Sequence, residues 1–157
     1  MSLVDYENAV TLIRLHSDQT YLVGKRSLEL VMLAEKVLGL TFPNFYRQFL
    51  LDFGAGSIGG TEIYGVIDDD FFNSSVPDAI WYTLTLRRET KIPHDYVVIA
   101  EVGDGRIFVL DTDATRTTEG QIYLYYPGLL PSEQPDEKAL GEFSTWFYEE
   151  VKRELSS

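Results

Sequence analysis

The residues best suited to chemistry in this sequence are carboxylates in segments that read as loops. Three adjacent aspartates occupy positions 68–70, and Asp111 and Asp113 flank a single threonine. Two carboxylates that converge in a cleft can serve as general acid and general base, which is the chemistry of many hydrolases, and the candidates for such a pair are Asp68, Asp69, Asp104 and Asp111. Adjacent carboxylates also repel one another and favour solvent, so solvated turns are the simpler interpretation of both stretches.

The other side chains that commonly catalyse reactions are scarce. Cysteine is absent, which excludes thiolate catalysis, disulfides and cysteine-based zinc sites. The two histidines, His16 and His94, lie at a predicted helix end and directly after a proline, where surface positions are common. A serine nucleophile needs a positioned base, and the sequence has no Gly-x-Ser-x-Gly elbow. We therefore predict no catalytic residue, with a carboxylate-dependent hydrolase as the remote alternative.

Two motifs resemble binding loops but lack the residues that define them. The stretch from Asp111 to Asp113 resembles the opening of a calcium loop, yet Arg116 occupies the position of the loop glycine and no glutamate follows at the twelfth position. Glycines at 54, 56, 59 and 60 follow a predicted helix and precede a predicted strand, the reverse of the order in phosphate loops. The sequence therefore predicts no metal and no other cofactor.

Charge and length narrow the class of protein. The 157 residues fit a single domain, 1–157, and 25 acidic against 13 basic side chains give a net charge of −12. Such a chain repels a phosphate backbone, so we expect no nucleic-acid partner, whereas a basic protein is well matched. The first residues lack the basic and apolar segments of a signal peptide, and no apolar run approaches the ~18 residues of a membrane helix. We expect a soluble cytoplasmic protein that does not bind membranes.

Periodic apolar positions and their flanking residues predict the helices. The spacing over 3–16 indicates an amphipathic helix, Ser27 and Gly39 mark the N-cap and the end of a second helix, and Pro43 opens a third. Ser75 is the predicted start of a fourth helix, and a last helix begins at about 141. The third and last helices carry aromatic residues that we predict to be buried, namely Phe45, Phe49, Phe53, Trp146 and Phe147.

Short β-branched segments predict an antiparallel sheet. Segments 96–101, 106–111 and 121–126 are joined by the Gly103-Asp104-Gly105 turn and by a polar loop, which is typical of a meander. The segment 61–64 can extend this meander. The order of helices and strands is not a regular βαβ alternation, which favours a segregated α+β domain. We predict a central antiparallel sheet of about 4–6 strands, packed with the N-terminal helices and a C-terminal helix.

Several short motifs follow one another in a fixed order along this sequence. The opening pieces are LAEKVLGL at 33–40, FP at 42–43, Tyr46, FL at 49–50 and FGAG at 53–56. The later pieces are EIYG at 62–65, VIA at 98–100 with the GDG turn, LD at 110–111 and FSTWF at 143–147. In this order the motifs resemble the SUKH superfamily of Smi/Knr-like domains. The resemblance is best from about residue 27 to residue 155, and Phe42 stands where the family commonly has leucine.

The resemblance implies an α+β interaction domain without enzymatic activity or cofactor. The superfamily includes bacterial immunity proteins and fungal cell-wall regulators, so we expect a protein that neutralises a cognate bacterial toxin, such as a nuclease, by binding it. A regulatory or scaffold domain of the cell-wall-regulator type is the alternative. Because loops collect binding residues and the chain is acidic, we predict that a basic toxin meets the loop carboxylates Asp68, Asp69, Asp70, Asp111, Asp113 and Glu119.

Overall fold

The computed structural model describes residues 2–116, 118–135 and 139–155. Its helices are α1 (Ser2–Leu15), α2 (Leu28–Leu38), α3 (Asn44–Phe53), α4 (Ala79–Glu89) and α5 (Phe143–Leu155). Its strands are β1 (Thr20–Leu22), β2 (Gly56–Ile58), β3 (Thr61–Ile63), β4 (Tyr96–Glu101), β5 (Ile107–Asp111) and β6 (Gln121–Tyr125). Within the described ranges, no helix is both long enough and apolar enough to cross a membrane.

Capping residues set the boundaries of α2 as the sequence predicts. The Ser27 hydroxyl oxygen accepts a hydrogen bond from the Leu30 N–H at 3.1 Å, which satisfies a free donor of the first turn. Gly39 ends the helix with a φ of 71°, a left-handed conformation that glycine adopts without a steric penalty. The third helix follows Pro43 and ends before Gly54, also as predicted.

Glu35 ties α2 to the start of α3. Its carboxylate accepts hydrogen bonds from the Phe42 N–H and from the Arg47 guanidinium, each at 2.6 Å. The first bond satisfies a backbone donor just before α3, and the second is an ion pair between the two helices. Charge-assisted bonds of this kind are short and directional, so they fix the angle at which the chain turns from α2 into α3.

The start of α4 differs from the sequence prediction, because Asp78 and not Ser75 is the N-cap. Asp78 Oδ1 accepts hydrogen bonds from the Ile80 N–H at 2.8 Å and the Trp81 N–H at 3.0 Å. Ser75 instead forms the preceding turn, in which its carbonyl oxygen accepts the Asp78 N–H. Asp78 is fully buried, and burial raises the pKa of its carboxyl group. The helix therefore begins three residues later than the serine indicates.

The strands form two three-stranded antiparallel sheets, so the prediction of one central sheet is wrong in that respect. The predicted meander is confirmed as the sheet β4-β5-β6, in which Leu110 pairs with Val97 on one side and with Ile122 on the other. The predicted strand at 61–64 does not extend the meander. It forms β3, which pairs with β2, and β2 pairs in turn with β1.

The two sheets meet at an irregular position of β4. The register between β4 and β5 shifts between Val98 and Ala100, as at a β-bulge, and a bulge bends and twists its strand. The segment after β3 still reaches β4 through a backbone hydrogen bond from the Tyr64 N–H to the Ile99 carbonyl oxygen at 2.7 Å. The second sheet therefore touches the meander without continuing its ladder.

The outer edge of β6 is paired with the chain that follows it. The Ile122 N–H donates to the Gly141 carbonyl oxygen, and the Leu140 N–H donates to the Ile122 carbonyl oxygen. Farther along, the Gln134 side-chain amide accepts the Tyr126 N–H at 2.8 Å and donates to the Tyr126 carbonyl oxygen at 2.7 Å. This amide makes with one residue the two bonds that a neighbouring strand would make.

Aromatic side chains of α3 and α5 form the centre of the core. The Phe49 ring lies 6.2 Å from the Phe143 ring and 5.4 Å from the Phe147 ring, measured between centroids. Tyr46 is fully buried, and its hydroxyl donates to the Tyr64 carbonyl oxygen at 3.0 Å. Four of the five aromatic residues predicted to be buried are confirmed, and Phe45 is half-buried; the four are Phe49, Phe53, Trp146 and Phe147.

Replacing Phe49 by alanine should lower the free energy of unfolding by about 3–5 kcal/mol, because the side chain leaves a cavity among packed rings. Phe45→Ala is the matched control, since Phe45 lies one turn earlier on the same helix and is only half-buried. Its loss should be clearly smaller. Urea titrations of both variants and the wild type measure the difference, and equal losses would contradict this description of the core.

The hairpin between β4 and β5 is the tight turn that the sequence predicts. Gly103 and Gly105 have φ angles of 102° and 96°, which side chains other than glycine rarely adopt. Asp104 accepts hydrogen bonds from the Arg106 N–H and from its guanidinium, and these bonds hold the pKa of the Asp104 carboxyl group below its ordinary value. The internal partners of Asp104 thus belong to the turn itself.

Gly105→Ala should lower the free energy of unfolding by about 1–2 kcal/mol, because alanine pays a steric cost at positive φ. Gly128→Ala is the control, since a Cβ at either glycine meets no atom within 4 Å but Gly128 does not have a positive φ. It should be neutral or slightly stabilising. Thermal and urea unfolding of the two variants test this, and a Gly105→Ala protein as stable as the wild type would refute the assigned turn geometry.

Candidate functional site

The aspartates at 68–70 lie on an exposed loop that follows β3. Asp68 accepts the Asp70 N–H at 3.0 Å, and Asp70 accepts the Asn73 N–H at 3.3 Å. The Arg26 guanidinium donates to the Ile67 carbonyl oxygen at 2.8 Å and so anchors the base of the loop without neutralising its carboxylates. The loop therefore presents a concentrated negative charge to solvent.

Asp111 and Asp113 are held by Arg116, in a loop that returns on itself. Asp111 is 2% exposed, and its two carboxylate oxygens accept hydrogen bonds from the Arg116 guanidinium at 2.7 and 3.1 Å. Asp113 pairs with the same guanidinium at 3.2 Å and accepts two hydrogen bonds from Thr115, which lower the pKa of the Asp113 carboxyl group. The arginine at the calcium-loop glycine position is thus the cation that these two carboxylates bind.

Glu119 acts inside the protein, at the start of α5. It is 6% exposed, and its Oε1 accepts hydrogen bonds from the Ser144 N–H and the Ser144 hydroxyl. A carboxylate in this place satisfies backbone donors at a helix N-terminus and complements the helix dipole. Burial, together with the nearby charge of Glu119, also raises the pKa of the Glu142 carboxyl group.

The two groups of predicted site carboxylates lie at opposite ends of α3. The 68–70 loop comes shortly after Val66, whose N–H donates to the Gly54 carbonyl oxygen at the end of α3. The 112–116 loop lies near Pro43 and Asn44 at the start of α3, where these residues and Thr112 line a small cleft. A helix of ten residues is ~15 Å long, so the structure does not bring the two groups into one continuous patch.

Sequence reasoning misses an acidic cleft between the two sheets and α5. The cleft has a volume of about 460 Å³, and its charged lining residues are Glu62, Glu101, Glu150, Arg153 and Glu154. These residues come from β3, β4 and α5, so no local spacing in the sequence could reveal the cluster. We call this feature the acidic cleft.

The single cation of the acidic cleft is bound within it. Arg153 pairs with Glu150 and lies 3.6 Å from the Glu154 carboxylate, while Glu154 also accepts the Gly60 N–H. Burial raises the pKa of the Glu150 carboxyl group, and the charge of Arg153 opposes that rise. Glu62 and Glu101 have no ion pair with any described lysine or arginine, so they give the mouth of the cleft a net negative charge.

Glu101 joins the acidic cleft to two tyrosines. Its carboxylate interacts with the hydroxyl groups of Tyr64 and Tyr82, whose rings stack at 5.7 Å. Burial, with the hydrogen bond to Glu101 and its charge, raises the pKa of Tyr82 to about 12. Both tyrosines therefore remain protonated next to the Glu101 carboxylate.

The described side chains do not form a metal-binding cluster. In the ranges 2–116, 118–135 and 139–155, no group of three or more histidine, aspartate or glutamate side chains is arranged to bind one. The described loop at 111–116 uses its carboxylates to bind an arginine instead. The arrangement of charges is suited to electrostatic contact with another molecule, as at protein interfaces.

Arg116→Ala should lower the free energy of unfolding by about 1–3 kcal/mol, because the buried Asp111 carboxylate loses two charge-assisted hydrogen bonds. The lower part of that range is expected, since the Arg116 side chain is 53% exposed and solvent screens its charge. Arg88→Ala is the control for loss of a surface cation and should change stability by less than about 0.5 kcal/mol. Urea unfolding of both variants decides this, and equal effects would exclude a structural role for the Arg116 pair.

Comparison with known protein families supplies an identity for this architecture. A family model named SUKH_5, described as SMI1-KNR4 cell-wall, matches residues 6–152. The match includes most of α1, which precedes the region of resemblance at 27–155. No curated protein gives a significant match to the chain. The matched region includes nearly all of the helices and strands of the α+β architecture. The chain therefore belongs to the SUKH_5 family, described as SMI1-KNR4 cell-wall.

Proposed function

We propose that this chain is a non-catalytic, immunity-type protein that neutralises a cognate bacterial toxin by binding to it. Membership of the SUKH_5 family supports an immunity or cell-wall-regulator-like domain. The observation that favours a basic protein partner is the exposed acidic loop at 68–70 in a chain of net charge −12. A toxin that acts on nucleic acid needs a basic surface, and an acidic inhibitor can cover it.

The six carboxylates of the proposed surface have different parts in this function. Asp68, Asp69 and Asp70 are exposed and form no ion pair with a described lysine or arginine, so they form the primary contact. Asp113 is half-buried beside Arg116 and can reach a partner only at the edge of its loop. The buried carboxylates, Asp111 and Glu119, accept hydrogen bonds from Arg116 and Ser144 and have a structural part.

The acidic cleft extends the proposed contact with negative charge from a different part of the surface. Glu62 and Glu101 have no cation partner among the described residues. Charges of one sign that surround a partner's docking site steer its approach and raise the association rate more than the final affinity. Salt weakens such steering, because the Debye length is ~8 Å at 0.15 M ionic strength.

A regulatory or scaffold domain of the cell-wall-regulator type is the second candidate function. The cell-wall description of the matched family favours it. The two functions differ in partner and in phenotype. An immunity protein binds the product of an adjacent toxin gene and protects cells that express that toxin, whereas a regulator binds a component of the cell's own machinery and gives no such protection.

Changing Asp68, Asp69 and Asp70 together to asparagine should slow association with the toxin encoded beside this gene. The loss should be largest at low salt and shrink as the ionic strength rises, because long-range attraction is the part removed. Surface plasmon resonance over a series of salt concentrations measures the association rate. The melting temperature should change little, since asparagine keeps the acceptors that bond within the loop.

The matched control removes three exposed carboxylates elsewhere, at Glu7, Asp18 and Glu29. Both triple variants change the net charge from −12 to −9, so the control separates the position of the charge from its total. The control should keep most of the wild-type rate. If the association rate depends neither on salt nor on the substitutions at 68–70, this loop is excluded as a contact with the toxin. If the wild-type protein neither binds the toxin nor protects cells from it, the immunity function is excluded.

A further inference from the structure

A surface groove beside α4 combines apolar and acidic side chains. Val76, Trp81, Tyr82 and Leu86 supply its apolar part, and it has a volume of about 380 Å³. The lining residues that belong to α4 are at positions 81, 82, 85, 86 and 89. This spacing places them along one stripe of the helix. We call this feature the α4 groove.

Part of the apolar lining of the α4 groove is accessible to a partner. Val76 is 41% exposed and Trp81 is half-buried, so apolar surface remains in contact with water. Leu86 and the Thr85 hydroxyl oxygen belong to the same lining but are buried. Tryptophan and tyrosine are the residue types that most often carry binding energy at protein interfaces.

Two carboxylates border the same groove. Glu89 and Glu101 both line it, both are exposed, and neither forms an ion pair with a lysine or arginine in the described ranges. Glu101 shares the lining with Tyr82, so the carboxylate borders the aromatic part of the groove. The groove is therefore complementary to an apolar side chain that has a positive charge beside it.

Glu101 makes the α4 groove continuous with the acidic cleft. Both features include Glu101 in their lining, and the stacked pair of Tyr64 and Tyr82 has one ring in each. A partner seated on the groove would thus extend over the cleft, whose charge has the same sign. An apolar centre with aromatic residues and a charged border is the usual anatomy of a protein interface.

We propose that the α4 groove is the anchoring part of the toxin-binding surface, where it holds an apolar or aromatic side chain that lies next to a lysine or arginine of the toxin. This proposal rests on the proposed immunity function and adds the chemistry of the segment that is recognised. Burial of one large apolar side chain at Trp81 slows dissociation, while Glu89 and Glu101 favour basic neighbours over acidic ones.

The first test is an NMR titration of ¹⁵N-labelled protein with an amidated five-residue peptide in which lysines flank a tryptophan and a leucine. The largest shifts should fall on the Trp81 indole N–H and on the backbone amides of Val76 and Leu86. A peptide with serine in place of both apolar residues should bind at least about tenfold more weakly, as should one with glutamate in place of lysine. Shifts confined to the 68–70 loop or the acidic cleft, or no binding, would overturn the proposal.

The second test compares Trp81→Ala and Glu89→Gln with Tyr21→Ala, using the toxin encoded beside this gene. Tyr21 is 83% exposed on β1 and does not line the groove, so its change controls for loss of a surface aromatic ring. Trp81→Ala should raise the dissociation rate about tenfold or more, and Glu89→Gln should lower the association rate at low salt. Tyr21→Ala should leave both rates near the wild-type values.

The outcomes separate this proposal from the function on which it rests. Toxin binding that is unchanged by Trp81→Ala and Glu89→Gln would overturn the groove and leave the immunity function standing. Absence of any binding between wild-type protein and toxin would overturn the immunity function, and the groove as a toxin surface with it. Circular dichroism of Trp81→Ala checks that its fold is intact, and Glu89→Gln provides the second reading because it removes only an exposed charge.

Discussion

The packing of α3 against α5 holds the remaining elements together. It joins parts of the chain that neither of the two sheets connects. The strands β1, β2 and β3 have three residues each, so their ladders contribute few hydrogen bonds. Stability must come mainly from burial of the aromatic side chains around Phe49. The Tyr46 hydroxyl links this cluster to the backbone at Tyr64, which is also the residue that bonds to β4. One helix face thus sets the position of both sheets.

Local signals in the sequence predict most of the helices and the meander, because caps and tight turns depend on a few adjacent residues. Ser27, Gly39 and the Gly103-Asp104-Gly105 turn act as their residue types indicate. The division into two sheets is not visible in this way. It involves the pairing of β2 with β1, a strand more than thirty residues earlier in the chain, and a register shift in β4 where the two sheets meet.

The candidate binding surface was harder to predict than the fold for the same reason. The exposed loop at 68–70 is read correctly from adjacent like charges, but burial of Asp111 and Glu119 depends on partners that the folded chain brings to them. The acidic cleft and the α4 groove combine residues from distant segments. Carboxylates that enter the interior need donors, such as the backbone N–H groups of α4 and α5 or a guanidinium. The carboxylates left outside remain in contact with water and give the surface its charge.

The Gln134 amide at the edge of β6 has a consequence for how this protein avoids unwanted assembly. An open strand edge is a template for another chain to add a strand, which leads to aggregation. Gln134 occupies the donor and acceptor of Tyr126, and the 140–141 segment occupies those of Ile122, so both positions are already paired within the molecule. Partners that approach this side are thereby directed to side-chain contacts, and strand exchange between copies is disfavoured at high concentration.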